Sequence, residues 1–192
     1  MPSYQSHDLT RRLAAVAERV SRTDTVVCVV GEFKKGKSAL INALLGAPVC
    51  PVDDDLATMA VTVVRYAAEP GAIVRRREGG ELIVEAIPAE EAGRWVAERD
   101  GDDRRHGVEV VEVGLPNAFL ERGIALVDTP GVGGLNAAHA AATLAFLPSA
   151  DALVFVTDAS TELSAPELAF LTSAMRAGPP ILIAVSKVDI VP

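Results

Sequence analysis

The chain has 192 residues, long enough for one domain with a buried core, and 49% of them are hydrophobic. Eighteen Lys and Arg against 26 Asp and Glu leave a net charge of -8, which speaks against a general nucleic-acid binder because phosphate backbones attract the opposite sign. Cys28 and Cys50 lack CxxC spacing and a histidine cluster, which excludes a disulfide framework or zinc site, and no signal-type segment or bilayer-length apolar run occurs, so the chain reads as cytoplasmic and reduced.

Leu9, Leu13, Val16, Ala17 and Val20 recur at helical spacing, with Arg11, Arg12, Glu18 and Arg19 opposite, and predict a helix within residues 1–22. "TVVCVV" at 25–30 is a continuous β-branched run of the kind found in strands buried on both faces, and Gly31 stops it. "KSALINALLG" predicts a helix capped by Gly46, with Pro48 beyond. A loop follows, then a strand over 60–66 and a hairpin over 72–87 turned at Gly79 and Gly80. Pro88 opens a charged helix to about Arg99, and "VEVVEVGL" at 108–115 reads as a strand. The charged "RRREGGE" and "ERDGDDRR" stretches read as solvated faces.

"GIALVDTPG" predicts a buried strand ending in a glycine turn, "NAAHAAATLAFL" an alanine-rich helix, and "DALVFVTDAS" a strand. "SAPELAFLTSAMRAG" predicts a helix stopped by Gly178, Pro179 and Pro180, and "ILIAVSKVDIV" the last strand. Strands alternate with helices, so the class is α/β with a mainly parallel central sheet.

Three motifs carry chemistry. Gly31, Glu32, Phe33, Lys34, Lys35, Gly36, Lys37 and Ser38 fit GxxxxGK[ST] between a strand and a helix, the setting of a phosphate-binding loop. Backbone N–H groups there, into the first helical turn at Ala39, would meet the phosphates, Lys37 would reach the β and γ oxygens, and the Ser38 hydroxyl would ligate Mg²⁺. Asp128-Thr129-Pro130-Gly131 follows a second buried strand, where Asp128 would hold Mg²⁺ through water and the Gly131 N–H would bond the γ-phosphate. Ser186-Lys187-Val188-Asp189 fits [NTS]KxD: Asp189 would accept from the guanine N1–H and amine, and the Lys187 stem would lie along the base, favouring GTP over ATP.

In this order the motifs resemble those of translation-factor-related GTPases, with a three-layer P-loop NTPase fold. "GEFKKGKSALINALLG", "VCPVDDDLATMAVTVVRY", "GLPNAFLERGIALVDTPGVGGLN" and "DASTELSAPELAFL" together look like bacterial dynamin-like GTPases, in particular the isoniazid-inducible type of actinobacteria. The resemblance implies a neck-type helix over 1–22, a GTPase domain over 23–192 with an inserted hairpin and helix lobe at 68–115, and GTP hydrolysis to GDP and phosphate. It also implies a homodimer across GTPase domains or pairing with a paralogue, and membrane remodelling at the inner face of the plasma membrane through lipid-binding regions outside this chain. No nucleic-acid partner is expected. Ending three residues after Asp189, before the segment that would close over guanine, the domain is expected to be truncated, with an exposed sheet edge at 181–186.

The same resemblance makes residues 51–58 switch I and Thr58 its Mg²⁺-binding threonine, with Thr62 as the alternative. Asp53, Asp54 and Asp55 precede Thr58 and read as a solvated loop. Val132 stands where small GTPases carry a catalytic glutamine and cannot orient water. In dynamins a phosphate-loop serine and a monovalent cation assist, and here Lys34 occupies that serine's position. Two readings of Lys34 stand: its ammonium replaces the cation in catalysis, or Lys34 and Lys35 both point outward as a basic rim. Two other functions also stand, a ribosome- or RNA-associated GTPase and a catalytically silent nucleotide-binding assembly module.

Overall fold

The computed structural model describes residues 23–52, 60–96, 107–131, 143 and 146–190. The helix expected within 1–22, the switch positions Asp53 to Asp55 and Thr58, Val132, and all of the alanine-rich helix except Thr143, Phe146 and Leu147 lie outside the described residues.

Eight strands form one sheet: β1 Thr25–Val30, β2 Val61–Tyr66, β3 Gly71–Glu78, β4 Glu81–Ile87, β5 Val108–Leu115, β6 Ile124–Asp128, β7 Ala152–Asp158 and β8 Ile181–Ser186. Their spatial order is β4-β3-β5-β2-β6-β1-β7-β8. The block β6-β1-β7-β8 is parallel throughout, as is β2 with β5, while β2 runs antiparallel to β6 and β3 antiparallel to both β4 and β5. The sheet is thus a four-stranded parallel block joined through an antiparallel β2–β6 pairing to a second half in which β2 and β5 are parallel and the hairpin is antiparallel. Within residues 68–115, expected as an inserted lobe, β3, β4 and β5 belong to this same sheet.

The burial of the central strands follows from their composition. Val26, Cys28 and Val30 face one side of β1 and Val29 the other, and all four are nearly inaccessible, which only a strand covered on both faces requires. Helix α1 (Lys37–Leu45) covers one face with Ile41 and Leu45; α2 (Ala92–Val96), entered through a 3-10 turn at Ala89–Glu91, adds Ala92 and Val96 to the same cluster. Helix α3 (Ala165–Ala177) covers the opposite face with Phe170 and Ala174, and Phe170 stacks on Phe155 of β7. These are the three layers expected of the fold.

Local chemistry sets the helix ends. Gly46 and Gly178 terminate α1 and α3 in the left-handed region, which glycine enters without steric cost. Ser164 and Glu167 form a capping box at the start of α3, with Pro at N1 or N2. The charged hairpin is solvated but not unpaired: Arg75 and Arg77 meet Glu112 and Glu109 across β3 and β5. Such exposed pairs contribute little stability. Both sheet edges carry apolar side chains into solvent, Leu82 and Val84 on β4 and Leu182, Ile183 and Val185 on β8.

Candidate functional site

The parallel strands β1, β6, β7 and β8 all end on one side of the sheet, so the segments that follow them, 31–36, 129–131, 159–164 and 187–190, gather there. Crevices at the carboxyl ends of parallel strands are where α/β sheets bind ligands.

The loop after β1 is held tightly. A Cβ at Gly31, whose φ is +150°, would lie 2.2 Å from the Val156 carbonyl oxygen of β7, so only glycine lets the loop leave the sheet at this point. Gly36 precedes α1 with φ 93°, and Lys34 also has a positive φ of 63°. Among the described residues no side chain caps α1, and its first turn contains no acidic residue. Its leading N–H groups, at Lys37, Ser38 and Ala39, therefore remain for an anionic ligand.

Lys37 is buried and its Nζ donates to the Glu32 carbonyl at 2.8 Å. Burial pulls its ammonium below the usual lysine value despite the carboxylates of Asp128 and Glu32, so the charge is under-compensated and an added anion would stabilise it. Ser38 Oγ donates to Asp128 Oδ2 at 2.6 Å. The other Asp128 oxygen, Oδ1, is buried without a hydrogen-bond partner among the described residues. Burial raises the Asp128 carboxyl above its ordinary value, outweighing the Ser38 hydroxyl, the Lys37 ammonium, the Cys50 thiol and the Thr129 amide. The Cys50 thiol, buried against the same carboxylate, is pushed well up in turn, first by burial and then by the Asp128 charge.

A hydroxyl and a desolvated carboxylate with one unsatisfied oxygen are a donor set suited to a hard divalent cation such as Mg²⁺. Gly131 stands close by: a Cβ there would lie 2.8 Å from the Phe33 amide nitrogen, so the DTPG turn and the first loop are in backbone contact. Thr129 fastens that turn to β1 through a hydrogen bond from its Oγ1 to the Val29 carbonyl at 2.9 Å.

The third motif joins the first through Ser186, whose Oγ lies 2.6 Å from the Lys35 carbonyl and 3.1 Å from that of Thr157. Lys187 has φ 54°, and its Nζ is 3.5 Å from Asp158 Oδ2. Asp189 lies exposed in a 3-10 turn at Val188–Ile190.

Lys35 departs from the reading that put it on an outward rim. It is buried, with its Nζ 3.2 Å from Asp158 Oδ2 and 2.5 Å from Thr161 Oγ1. An ammonium leaves solvent only for such partners, and the carboxylate that supplies them lies more than a hundred residues away in sequence. Lys34 is the exposed one of the pair, its ammonium 5.4 Å above the centre of the Phe33 ring. Thr62, the alternative metal threonine, is fully buried inside β2 directly opposite Asp128, and its Oγ1 has no hydrogen-bond partner among the described residues.

Four further groups shape the site without having been singled out in the sequence. Asp158 accepts from Ser160 N and Oγ and from Thr161 Oγ1. Asn42 ties α1 to residues 49–50: its side-chain carbonyl accepts from Val49 N and Cys50 N, and its amide donates to Cys50 O. Ser164 Oγ donates to Glu32 Oε1, hooking the first loop onto the cap of α3, where Glu167 is fully buried. The spacing Ser-x-x-Glu before an apolar run marks that cap in the sequence; nothing local marks Asp158 or Asn42.

The dynamin family model matches residues 27–188. The isoniazid-induced protein IniA of Mycobacterium tuberculosis is 37% identical over 96% of this chain and 29% of its own length. Dynamin-like protein A of Bacillus subtilis is 25% identical over 96% of this chain and 15% of its own. A solved structure of an oligomerised bacterial dynamin pair, described as sensing and tethering membranes, superimposes with a TM-score of 0.70 at 18% identity, covering the whole chain and 31% of that one. The chain thus spans under a third of each of these three relatives. Among the described residues no helix is long and apolar enough to cross a membrane. With the phosphate-loop geometry in place and the match covering most of its length, the chain belongs to the dynamin family and carries a bacterial dynamin-like GTPase domain.

Proposed function

We propose that this chain binds GTP in the crevice formed by residues 31–39, 128–131 and 186–189 and hydrolyses it to GDP and phosphate. The observation that carries the reading is the uncapped start of α1 beside a buried, under-compensated Lys37 and a Ser38–Asp128 pair with an unsatisfied oxygen. Phosphate would take the α1 amides and the Lys37 ammonium, relieving the burial of that charge. Ser38, Asp128 and switch residue Thr58 would hold Mg²⁺, which when bound supplies positive charge at the β and γ phosphate oxygens. Gly131 would place its N–H toward the γ-phosphate, Ser186 would keep the base motif against the first loop, and Asp189 would read guanine with the Lys187 stem along the base. Water adds to the γ-phosphorus as the bond to the β–γ bridging oxygen breaks, releasing GDP and inorganic phosphate.

Lys34 is the candidate for cis stabilisation of the charge that builds on the bridging oxygen, taking the role a monovalent cation has in related dynamins. It is exposed and carried at the loop tip on the Phe33 ring. In the whole protein, hydrolysis would couple to GTPase-domain pairing, with itself or a paralogue, and to membrane remodelling at the inner face of the plasma membrane.

The test is phosphate release from GTP at several protein concentrations, with and without Mg²⁺ and potassium. Magnesium-dependent turnover that persists without potassium and falls on Lys34→Ala supports the full reading. Dependence on potassium sinks the Lys34 role, and tight GTP binding with no phosphate release at high protein concentration identifies a silent assembly module instead.

A further inference from the structure

Three segments meet at one carboxylate. Asp158, at the end of β7, is buried; its Oδ1 accepts from Ser160 N at 3.1 Å, Ser160 Oγ at 2.9 Å and Thr161 Oγ1 at 2.9 Å. Its Oδ2 faces two ammonium groups, Lys35 Nζ at 3.2 Å and Lys187 Nζ at 3.5 Å. Lys35 comes from the phosphate loop and Lys187 from the base motif. The two segments are also stitched directly, through Ser186 Oγ and the Lys35 carbonyl, and the Ala159 amide donates to the Ser186 carbonyl at 3.0 Å.

We infer that Asp158 and Lys35 are positioning residues for nucleotide affinity, a buried ion pair that sets the phosphate loop in register with Lys187 at the base end of the site. The inference rests on the GTP-binding reading above.

The two lysines on Asp158 differ in a way that assigns them different parts. The Lys35 side chain is 8% exposed and has a second partner in Thr161, so its ammonium is committed to the carboxylate. That of Lys187 is 39% exposed and makes the longer contact, so its ammonium is held loosely while its stem, anchored at both ends, offers its length to a base. Breaking a buried pair by removing one member leaves the other charge uncompensated, so the damage is larger than the net worth of the pair. Without Asp158, Lys35 would have to move toward solvent and carry the backbone between Lys34 and Gly36 with it, while Lys187 would lose its tether. Both changes act on parts of the site that GDP and GTP share, the phosphate loop and the base, while the displaced backbone also carries Lys34.

The effect should therefore appear in the affinity for GDP, where no catalysis is involved, as much as in the affinity for GTP. The experiment measures dissociation constants for fluorescent GDP and a non-hydrolysable GTP analogue, steady-state kcat and KM, and thermal melting, on wild type, Asp158→Asn, Lys35→Met, Lys35→Arg and Thr161→Val. Losing a charged hydrogen bond that positions the site predicts weakening of about tenfold or more for Asp158→Asn and Lys35→Met, equal for both nucleotides. Lys35→Arg should recover most of the affinity, and the double variant Lys35→Met/Asp158→Asn should fall well short of the product of the single effects. Affinities unchanged in folded variants, or kcat falling with KM constant, would overturn the inference. If Asp158→Asn does not fold, Lys35→Met and Thr161→Val decide it, and if wild type binds no guanine nucleotide, the binding reading itself fails.

Discussion

Asn42 offers a sharp test of how α1 and the segment entering switch I are held. Its side chain makes three hydrogen bonds to backbone, accepting from Val49 N at 2.9 Å and Cys50 N at 2.8 Å and donating to Cys50 O at 2.7 Å. Asn42→Ala removes all three and leaves two donors and one acceptor in a part-buried turn. At about 1 kcal/mol each the loss is about 3 kcal/mol, against which alanine regains about 0.6 kcal/mol of helix propensity. A net cost of about 2–3 kcal/mol, divided by a urea slope of about 2 kcal/mol per M, lowers the unfolding midpoint by roughly 1 M. A second readout is local: Cys50 is 3% exposed and lies on the residue Asn42 clamps, so its alkylation, located by mass spectrometry, should quicken in the variant under native conditions. A midpoint shift below about 0.2 M together with unchanged Cys50 labelling would refute the clamp.

Gly31→Ala places a methyl 2.2 Å from the Val156 carbonyl oxygen at a φ few alanines adopt, so the loop must leave β7; a cost above about 3 kcal/mol is expected in thermal or urea melts, and a variant melting like wild type would contradict the fold at that point. Asp158 supplies the pH prediction. Its burial favours the neutral acid, but the Ser160 and Thr161 hydrogen bonds and Lys35 win, and its carboxyl sits well below the ordinary range. A carboxylate lowered on folding contributes stability above its unfolded value, near 3.9, and loses it as pH falls toward the folded value. The stability difference between wild type and Asp158→Asn should accordingly be flat from about pH 7 to 5 and shrink below about pH 4; a difference that widens on acidification would reverse the assigned sign.

The elements of this fold were legible because each is coded by neighbouring residues. The run TVVCVV at 25–30, β-branched but for Cys28, reads as a doubly covered strand and is one, and Gly46, Gly79, Gly80 and Gly178 mark turns and caps that the backbone realises with positive φ. The phosphate loop was equally legible, since GxxxxGKS between strand and helix places Lys37 and Ser38 in consecutive positions of one turn. The hairpin was visible as a hairpin, but its destination was not. Its pairing with β5, and that of β5 with β2, are long-range choices that no local pattern encodes.

Lys34 and Lys35 show the division most clearly. As adjacent lysines in a glycine-rich loop they look alike, and the sequence left Lys34 between a catalytic role and a basic rim while placing Lys35 on the rim. The backbone turn at Lys34, with φ 63°, sends consecutive side chains to different environments, one onto an exposed aromatic ring and the other into the protein. By itself the sequence determined the positions of the strands, the ends of α1 and α3 and the order of the three nucleotide motifs, because these depend on residues within a few positions of one another. Only the tertiary structure decided that Lys35 is buried and that Asp158 receives it together with Lys187, because a charge stays out of water only where the fold delivers a counter-charge, and that delivery spans most of the chain.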